Sequence, residues 1–241
     1  MKLKDKVAII SGASSGIGLA ASKKLAEEGA RLLMIGLHGD KAKKAATEVG
    51  HDAIGLGCNV ASETEVIGAV DLAIQKFGGL DIIVNNAGVM IFKPLEQLTL
   101  EDWRSVFDVD LMGAFSFIKQ AFLKMRPGGS IINIASIHAV ETTPLVSTYA
   151  AAKAALVSLT RSASMEGTAR KIRVNAILPG AIDTPMLWEN PNVRSGLEQI
   201  DRGMVGKPED IANVIAFLAS DDSAFIRGAS LTVDGGRLGK L

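Results

Sequence analysis

Short apolar runs alternate along this chain with longer segments in which apolar residues recur every three or four positions. The runs Val7–Ile10, Leu32–Ile35, Ala53–Leu56, Ile82–Val84, Ile131–Ile134, Val174–Leu178 and Ser230–Val233 predict strands. Helical period occupies 16–28, 40–49, 62–77, 102–125, 148–167 and 208–220. Strict alternation of strand and helix builds a parallel sheet covered on both faces. Segments such as DIIVN and SIIN are apolar on both sides, which suits a strand buried beneath helices on each face. The fold class is therefore α/β, a doubly wound parallel sheet. No Gly/Ser linker, low-complexity tract or repeat of about 20–50 residues interrupts the pattern, so one domain is expected over 1–241. The least regular stretch is 181–207, with Pro185, Pro191 and glycines from Gly196 on. A loop this long in a compact domain points to a functional segment, here a substrate loop.

Composition narrows the function classes. With 48% hydrophobic and 22% charged residues, the 241-residue chain has the balance of a globular protein and enough length for one core. Twenty-six basic residues offset twenty-six acidic ones, so no basic field exists for nucleic acid or anionic lipid. Cys58 is the single cysteine, which rules out an internal disulfide and favours a reducing compartment. The apolar run near the amino end spans only Val7–Ile10, too short for a signal peptide, and no run reaches the length of a membrane span. A cytoplasmic location without membrane attachment is the expectation. His38, His51 and His138 show no metal-ligand spacing, so no metal is expected.

The first strand runs into SGASSGIG, placing Gly12, Gly16 and Gly18 where strand meets helix. Glycines there permit a tight turn and close approach of backbone to a diphosphate, which the helix N-terminus also favours. The same letters spell G-x-S-x-G around Ser14, the elbow of a hydrolase nucleophile. That reading lacks an earlier loop for an oxyanion donor and an acid partner for His138. The segment STYAAAKAAL holds the chain's only tyrosine, Tyr149, four residues before Lys153. On a helix the two share a face. A phenol titrates near pH 10, and a neighbouring ammonium favours its ionised form, so the spacing predicts a Tyr149 acidic enough to exchange protons near neutral pH. Ser136 follows the strand SIINIA, at the carboxyl end where open α/β sheets bind ligands, and can hold the same substrate oxygen. Proton exchange at a carbinol oxygen becomes productive when a nicotinamide exchanges hydride with the carbon.

Taken together, SGASSGIG at 11–18, NNAG at 85–88, Ser136, YAAAK at 149–153, LPG at 178–180 and VDGG at 233–236 resemble the short-chain dehydrogenases/reductases, in the branch with subunits of about 250 residues. The resemblance spans nearly the whole chain. It implies a seven-stranded Rossmann sheet, NAD(H) or NADP(H) as cofactor, and interconversion of ketones and secondary alcohols. Tyr149 would be the general acid/base, Lys153 would lower its pKa and bind the nicotinamide ribose, and Ser136 would orient the substrate oxygen. The dinucleotide would lie along Gly12, Ser14, Ser15, Gly16, Ile17 and Gly18, then Asn59 and Val60 near adenine. Asn86, Ala87 and Gly88 would support it beside the fourth strand, with Pro179, Gly180, Ile182 and Thr184 by the carboxamide. Asp110, in VDLMG, stands where the family usually has an asparagine that positions a relay water; a carboxylate accepts from water but adds charge. Ser11 replaces the usual threonine, and Asn59 the usual aspartate.

No acid ends the second strand, where Gly36, Leu37 and His38 stand; Gly36 leaves room for a 2′-phosphate within reach of His38 or Lys41, which favours NADP(H). Ile137, His138, Val140, Met90, Phe92, Met186, Leu187 and Trp188 are the expected pocket, mostly apolar, for a small or medium carbonyl or alcohol. The resemblance implies a homotetramer, or a homodimer, through the helices near 102–125 and 148–167. A dinucleotide-binding regulator without turnover, and an epimerase or dehydratase with retained cofactor, are the alternatives.

Overall fold

The computed structural model describes residues 1–240. All seven apolar runs are strands: β1 (Val7–Ser11), β2 (Arg31–Gly36), β3 (Ile54–Gly57), β4 (Ile82–Asn85), β5 (Ser130–Ile134), β6 (Arg173–Pro179) and β7 (Ser230–Val233). They form one sheet in the order β3-β2-β1-β4-β5-β6-β7, every pairing parallel. The order reverses between β1 and β4, so the chain leaves these neighbours in opposite directions and opens a crevice at their carboxyl ends.

Helices α1 (Gly16–Glu27), α2 (Gly39–Val49), α3 (Glu63–Phe77), α4 (Leu100–Phe107), α5 (Gly113–Lys124), α6 (Ser147–Gly167), the short α7 (Pro185–Trp188) and α8 (Pro191–Arg194), and α9 (Pro208–Ala219) complete the chain. Successive β1 residues point to opposite faces. Ala8 and Ile10 join one core layer with Leu25 of α1 and Ile215 of α9. Val7 and Ile9 join the other with Val70 of α3 and Phe117 of α5. Every β1 residue is buried, which is why the strand reads as a continuous apolar run.

Two regions differ from the sequence expectation. The helix expected over 102–125 begins at Leu100, because Thr99 and Asp102 cap each other. Thr99 Oγ1 accepts from the Asp102 N–H at 3.1 Å, and the Asp102 carboxylate accepts from the Thr99 N–H at 2.9 Å. It is then interrupted by one π-helical turn, Asp108–Met112, which separates α4 from α5 and contains Asp110. The expected loop over 181–207 contains α7, α8 and a 3₁₀ turn at Arg202–Met204. Among the described residues no helix is long and apolar enough to cross a membrane.

Candidate active site

The loop after β1 is shaped by close backbone approach. Gly12 has φ +64°, and a Cβ on Gly18 would lie 2.2 Å from the Gly12 carbonyl oxygen, so neither position admits a larger residue without rearrangement. Asn86, just past β4, donates from Nδ2 to the Ser11 and Gly12 carbonyls at 2.9 and 3.2 Å. Ser11 Oγ accepts the N–H groups of Asn86 and Ala87 at 2.9 and 3.0 Å. These bonds join the ends of β1 and β4 across the crevice. At the start of α1, Ser15 makes no side-chain cap bond and the first turn holds no acid. The first-turn N–H groups therefore suit an anion, and the glycine cradle suits the close approach of a diphosphate.

A cavity of about 290 Å³ opens beside this loop. Its walls bring together Gly12, Ser15, Gly16 and Ile17 with Asn86, Ala87 and Gly88, and with Pro179 at the end of β6 and Gly180, Ile182 and Thr184 beyond it. Ser136, Tyr149 and Lys153 line the same space. Ser136 follows β5 and caps the next turn, its Oγ accepting from the His138 N–H at 3.2 Å. Tyr149 and Lys153 stand one turn apart at the start of α6, only 7% and 3% exposed. Lys153 Nζ lies 5.4 Å from the Tyr149 ring centroid and donates to the Ile134 carbonyl at 3.0 Å. It also stands 3.2 Å from Asp110 Oδ2, an ion pair 1% exposed at Asp110. Asp110 Oδ1 accepts the Val89 N–H at 2.8 Å.

The electrostatic balance corrects one expectation. The spacing predicts a phenol made more acidic by Lys153. In the folded chain burial pushes Tyr149 above the ordinary phenol value, Lys153 pulls it down, the Asp110 carboxylate pushes it up again, and a hydrogen bond from Ser136 pulls it down. The net direction is upward. Burial likewise raises Asp110, against the opposing pull of Lys153 and the Val89 N–H. For Lys153 burial acts downward, but Asp110 and Tyr149 outweigh it and hold the ammonium above its ordinary range. Burial lowers His138, whose ring meets Tyr149 edge-on at 5.9 Å between centroids.

Of the expected substrate residues, Ile137, His138, Met186 and Leu187 line the cavity, as does Met90. Val140, Phe92 and Trp188 do not. Val140 is 62% exposed, while Trp188 donates from Nε1 to Asp183 at 2.6 Å beneath the Arg202 guanidinium. Ser14, Gly18, Gly36, Leu37, His38, Asn59 and Val60 also stand outside the lining, around the carboxyl ends of β1, β2 and β3. Ser14 Oγ lies 2.9 Å from where a Cβ on Gly36 would sit. Leu37 is largely exposed, and the Val60 side chain packs into the core against Gly113. Asn59 Oδ1 accepts from the Ala61 N–H at 3.1 Å.

Three polar wall residues, Asn190, Glu198 and Arg237, escape the sequence reading. Arg237 pairs with Glu198 Oε1 at 2.7 Å, and Asn190 Nδ2 donates to Glu198 Oε2 at 3.3 Å. Asn190 and Glu198 stand eight residues apart in the irregular 181–207 segment, Arg237 lies 39 residues beyond Glu198, and no motif joins them. Among the described residues no three His, Cys, Asp or Glu side chains stand together as a metal site.

The family model described as "Enoyl-(Acyl carrier protein) reductase" matches residues 12–237. The chain is 40% identical to cis-4-hydroxycyclohexanecarboxylate dehydrogenase of Sinomonas cyclohexanicum, over 96% of each chain. It is 36% identical to 3-oxoacyl-[acyl-carrier-protein] reductase FabG of Thermotoga maritima, over 98% of this chain and 99% of that one. NADP-dependent (R)-specific alcohol dehydrogenase of Lentilactobacillus kefiri is also 36% identical, over 98% of this chain and 97% of that one. A solved structure of a Serratia marcescens short-chain dehydrogenase/reductase mutant superposes with TM-score 0.91 at 36% identity, covering 98% of this chain and 99% of that one.

Proposed function

The chain belongs to the short-chain dehydrogenase/reductase family, and from that premise we propose that it interconverts a ketone and a secondary alcohol, with Tyr149 as general acid/base. The observation that carries this reading is the meeting of Ser136, Tyr149 and Lys153 with the glycine loop in one cavity. A bound nicotinamide dinucleotide supplies or accepts the hydride. Gly12, Gly16 and Ile17 would hold its diphosphate, Asn86 and Gly88 its middle, and Pro179, Ile182 and Thr184 its nicotinamide end. Ser14, Gly36, Leu37, His38, Asn59 and Val60 would frame the adenosine. In reduction the Tyr149 hydroxyl gives its proton to the developing alkoxide, while Ser136 donates to the same oxygen and fixes its position. The Lys153 ammonium steadies the resulting phenolate, and burial of the pair keeps bulk water from the reacting oxygen. One folded domain performs binding and chemistry.

NADP(H) is the proposed cofactor. The β2 end carries Gly36 in place of an acid, His38 and Lys41 follow it, and the Lentilactobacillus kefiri relative is named NADP-dependent. The proposed substrate is an alicyclic ketone or secondary alcohol with an apolar body and a hydrogen-bonding group away from the reacting carbon. Met90, Ile137, Met186 and Leu187 accept the body, and Asn190, Glu198 and Arg237 the polar group. Two relatives are named for a hydroxycyclohexanecarboxylate and a 3β-hydroxysteroid, both alicyclic alcohols. Met112, Phe115 and Leu123 on and before α5, and Met165 on α6, are exposed apolar residues that support a homotetramer through these helices; sedimentation of the purified chain tests it.

The test of the reaction is a panel of carbonyl and alcohol substrates followed by nicotinamide absorbance with both cofactors. Turnover of alicyclic ketones with NADPH is expected. Absence of any absorbance change across the panel, with cofactor bound, overturns the reading. A hundredfold preference for NADH overturns the cofactor assignment alone.

A further inference from the structure

Asp110 is a buried carboxylate in the catalytic centre that a proton relay does not require to be charged. The π-helical turn 108–112 carries it inward, where it is 1% exposed and its Oδ2 stands 3.2 Å from the Lys153 ammonium. The surroundings are fitted to this pair. A Cβ on Gly88 would lie 2.9 Å from Asp110 Oδ2 and 3.3 Å from Lys153 Nζ, and the Val89 N–H fixes Oδ1 at 2.8 Å. Across the pair lies Tyr149, with the ammonium 5.4 Å from its ring centroid.

Three ionisable groups thus share one buried corner of the site. Fully protonated, they carry the single positive charge of Lys153. The first proton to leave is the carboxyl proton of Asp110, which brings the site to neutrality. Ionising Tyr149 then makes the buried site negative, which low dielectric opposes. An amide at position 110 would leave the ammonium uncompensated, and phenol ionisation would neutralise the site. The two side chains therefore have opposite effects on the same tyrosine.

We propose that Asp110 is a charge-compensating positioning residue: its carboxylate engages the Lys153 ammonium, withdraws that charge from Tyr149, and keeps the phenol a proton donor suited to carbonyl reduction. The proposal rests on the reading of Tyr149 as general acid. It does not alter the balance of the reaction: hydride goes to carbonyl carbon, the Tyr149 proton goes to oxygen, and solvent later returns a proton to the phenolate. It moves the pH profiles of the two directions, because reduction draws on the protonated phenol and oxidation on the ionised one. Among the described residues the charged groups acting on Tyr149 are Lys153 and Asp110. His138 faces its ring and is held neutral by burial, and Ser136 contributes only a hydrogen bond.

The chain's single tyrosine makes the test direct, since the tyrosinate absorbance of the folded protein reports Tyr149 alone. The titration needs neither cofactor nor turnover, so its failure is separable from failure of the proposed activity. Circular dichroism at each pH confines the titration to folded protein. Wild type is expected to be less than half ionised at the pH, about 10, where a free phenol is half ionised. Asp110→Asn is expected to ionise at lower pH than wild type, and its alcohol-oxidation profile to shift to lower pH with it. A wild-type tyrosine ionising below about pH 10 overturns the proposal, and that measurement stands even where Asp110→Asn fails to fold. A folded Asp110→Asn protein whose tyrosine ionises at the wild-type pH or above it overturns the proposal as well.

Discussion

Tyr149 and Lys153 show how little an isolated pair of residues specifies. Four apart on a helix, they would on an exposed surface be an ordinary neighbouring pair. Here burial acts most strongly on both, and Asp110 offsets the ammonium, so the direction of the phenol's shift follows from surroundings that no local pattern contains. The far end of the cavity makes the same point. Arg237 is already bound to Glu198, so the pair offers hydrogen-bonding groups with no net charge. Arg237→Ala is expected to lower kcat/KM about tenfold for an alicyclic ketone bearing a remote hydroxyl or carboxylate, the loss of one charge-assisted hydrogen bond. The value for the unsubstituted ketone should stay near wild type. Equal losses for both ketones would remove Arg237 from substrate recognition. Neither Asn190, Glu198 nor Arg237 was legible beforehand, because the three converge through loops and a C-terminal segment.

Elements were more legible than residues, for a reason visible in β1 and β4. Strands buried on both faces are uninterrupted apolar runs, so each stands out between helices. The start of α4 was written in the chain as Thr99-Leu100-Glu101-Asp102, a reciprocal cap that periodicity alone places two residues late. The π-helical turn at 108–112 left no comparable mark, since its residues keep helical backbone throughout and only the hydrogen-bond register changes. Thr99→Ala is expected to destabilise the protein by about 1 kcal/mol, read as a lower denaturation midpoint with unchanged slope. An unchanged midpoint would mean that α4 does not depend on its cap. Lys93 and the Thr99 N–H hold Asp102 at about 2, below the ordinary carboxylate value. Its contribution is therefore complete above about pH 4 and lost as pH falls through about 2. Wild type and Thr99→Ala should both lose stability across that window, because Lys93 and the Thr99 N–H are retained in each.

At the scale of the molecule, the strand order places the site. Reversal between β1 and β4 opens the crevice, Ser11 and Asn86 close its floor, and β5 and β6 deliver Ser136 and Pro179 to the same edge. Strand–helix alternation makes the parallel sheet legible, but it does not dictate the strand order, which depends on contacts distant in sequence. Cys58 reports on the integrity of this whole. It is 2% exposed, and burial first, then Glu65, push its thiol up to about 11. A thiol reagent at neutral pH is expected to label native protein only at the rate of unfolding, with full labelling in denaturant. Rapid labelling of native protein would show that the layer beneath α3 opens locally.

The proposed reaction turns on the Tyr149 hydroxyl, and one paired measurement bears on it: NADPH consumption with an alicyclic ketone, and dinucleotide affinity, in wild type and Tyr149→Phe. Removing only the hydroxyl should leave dinucleotide affinity close to wild type and lower kcat by about 10²–10⁴-fold. A Tyr149→Phe protein that reduces the ketone at the wild-type rate would contradict the assignment of the proton to this residue.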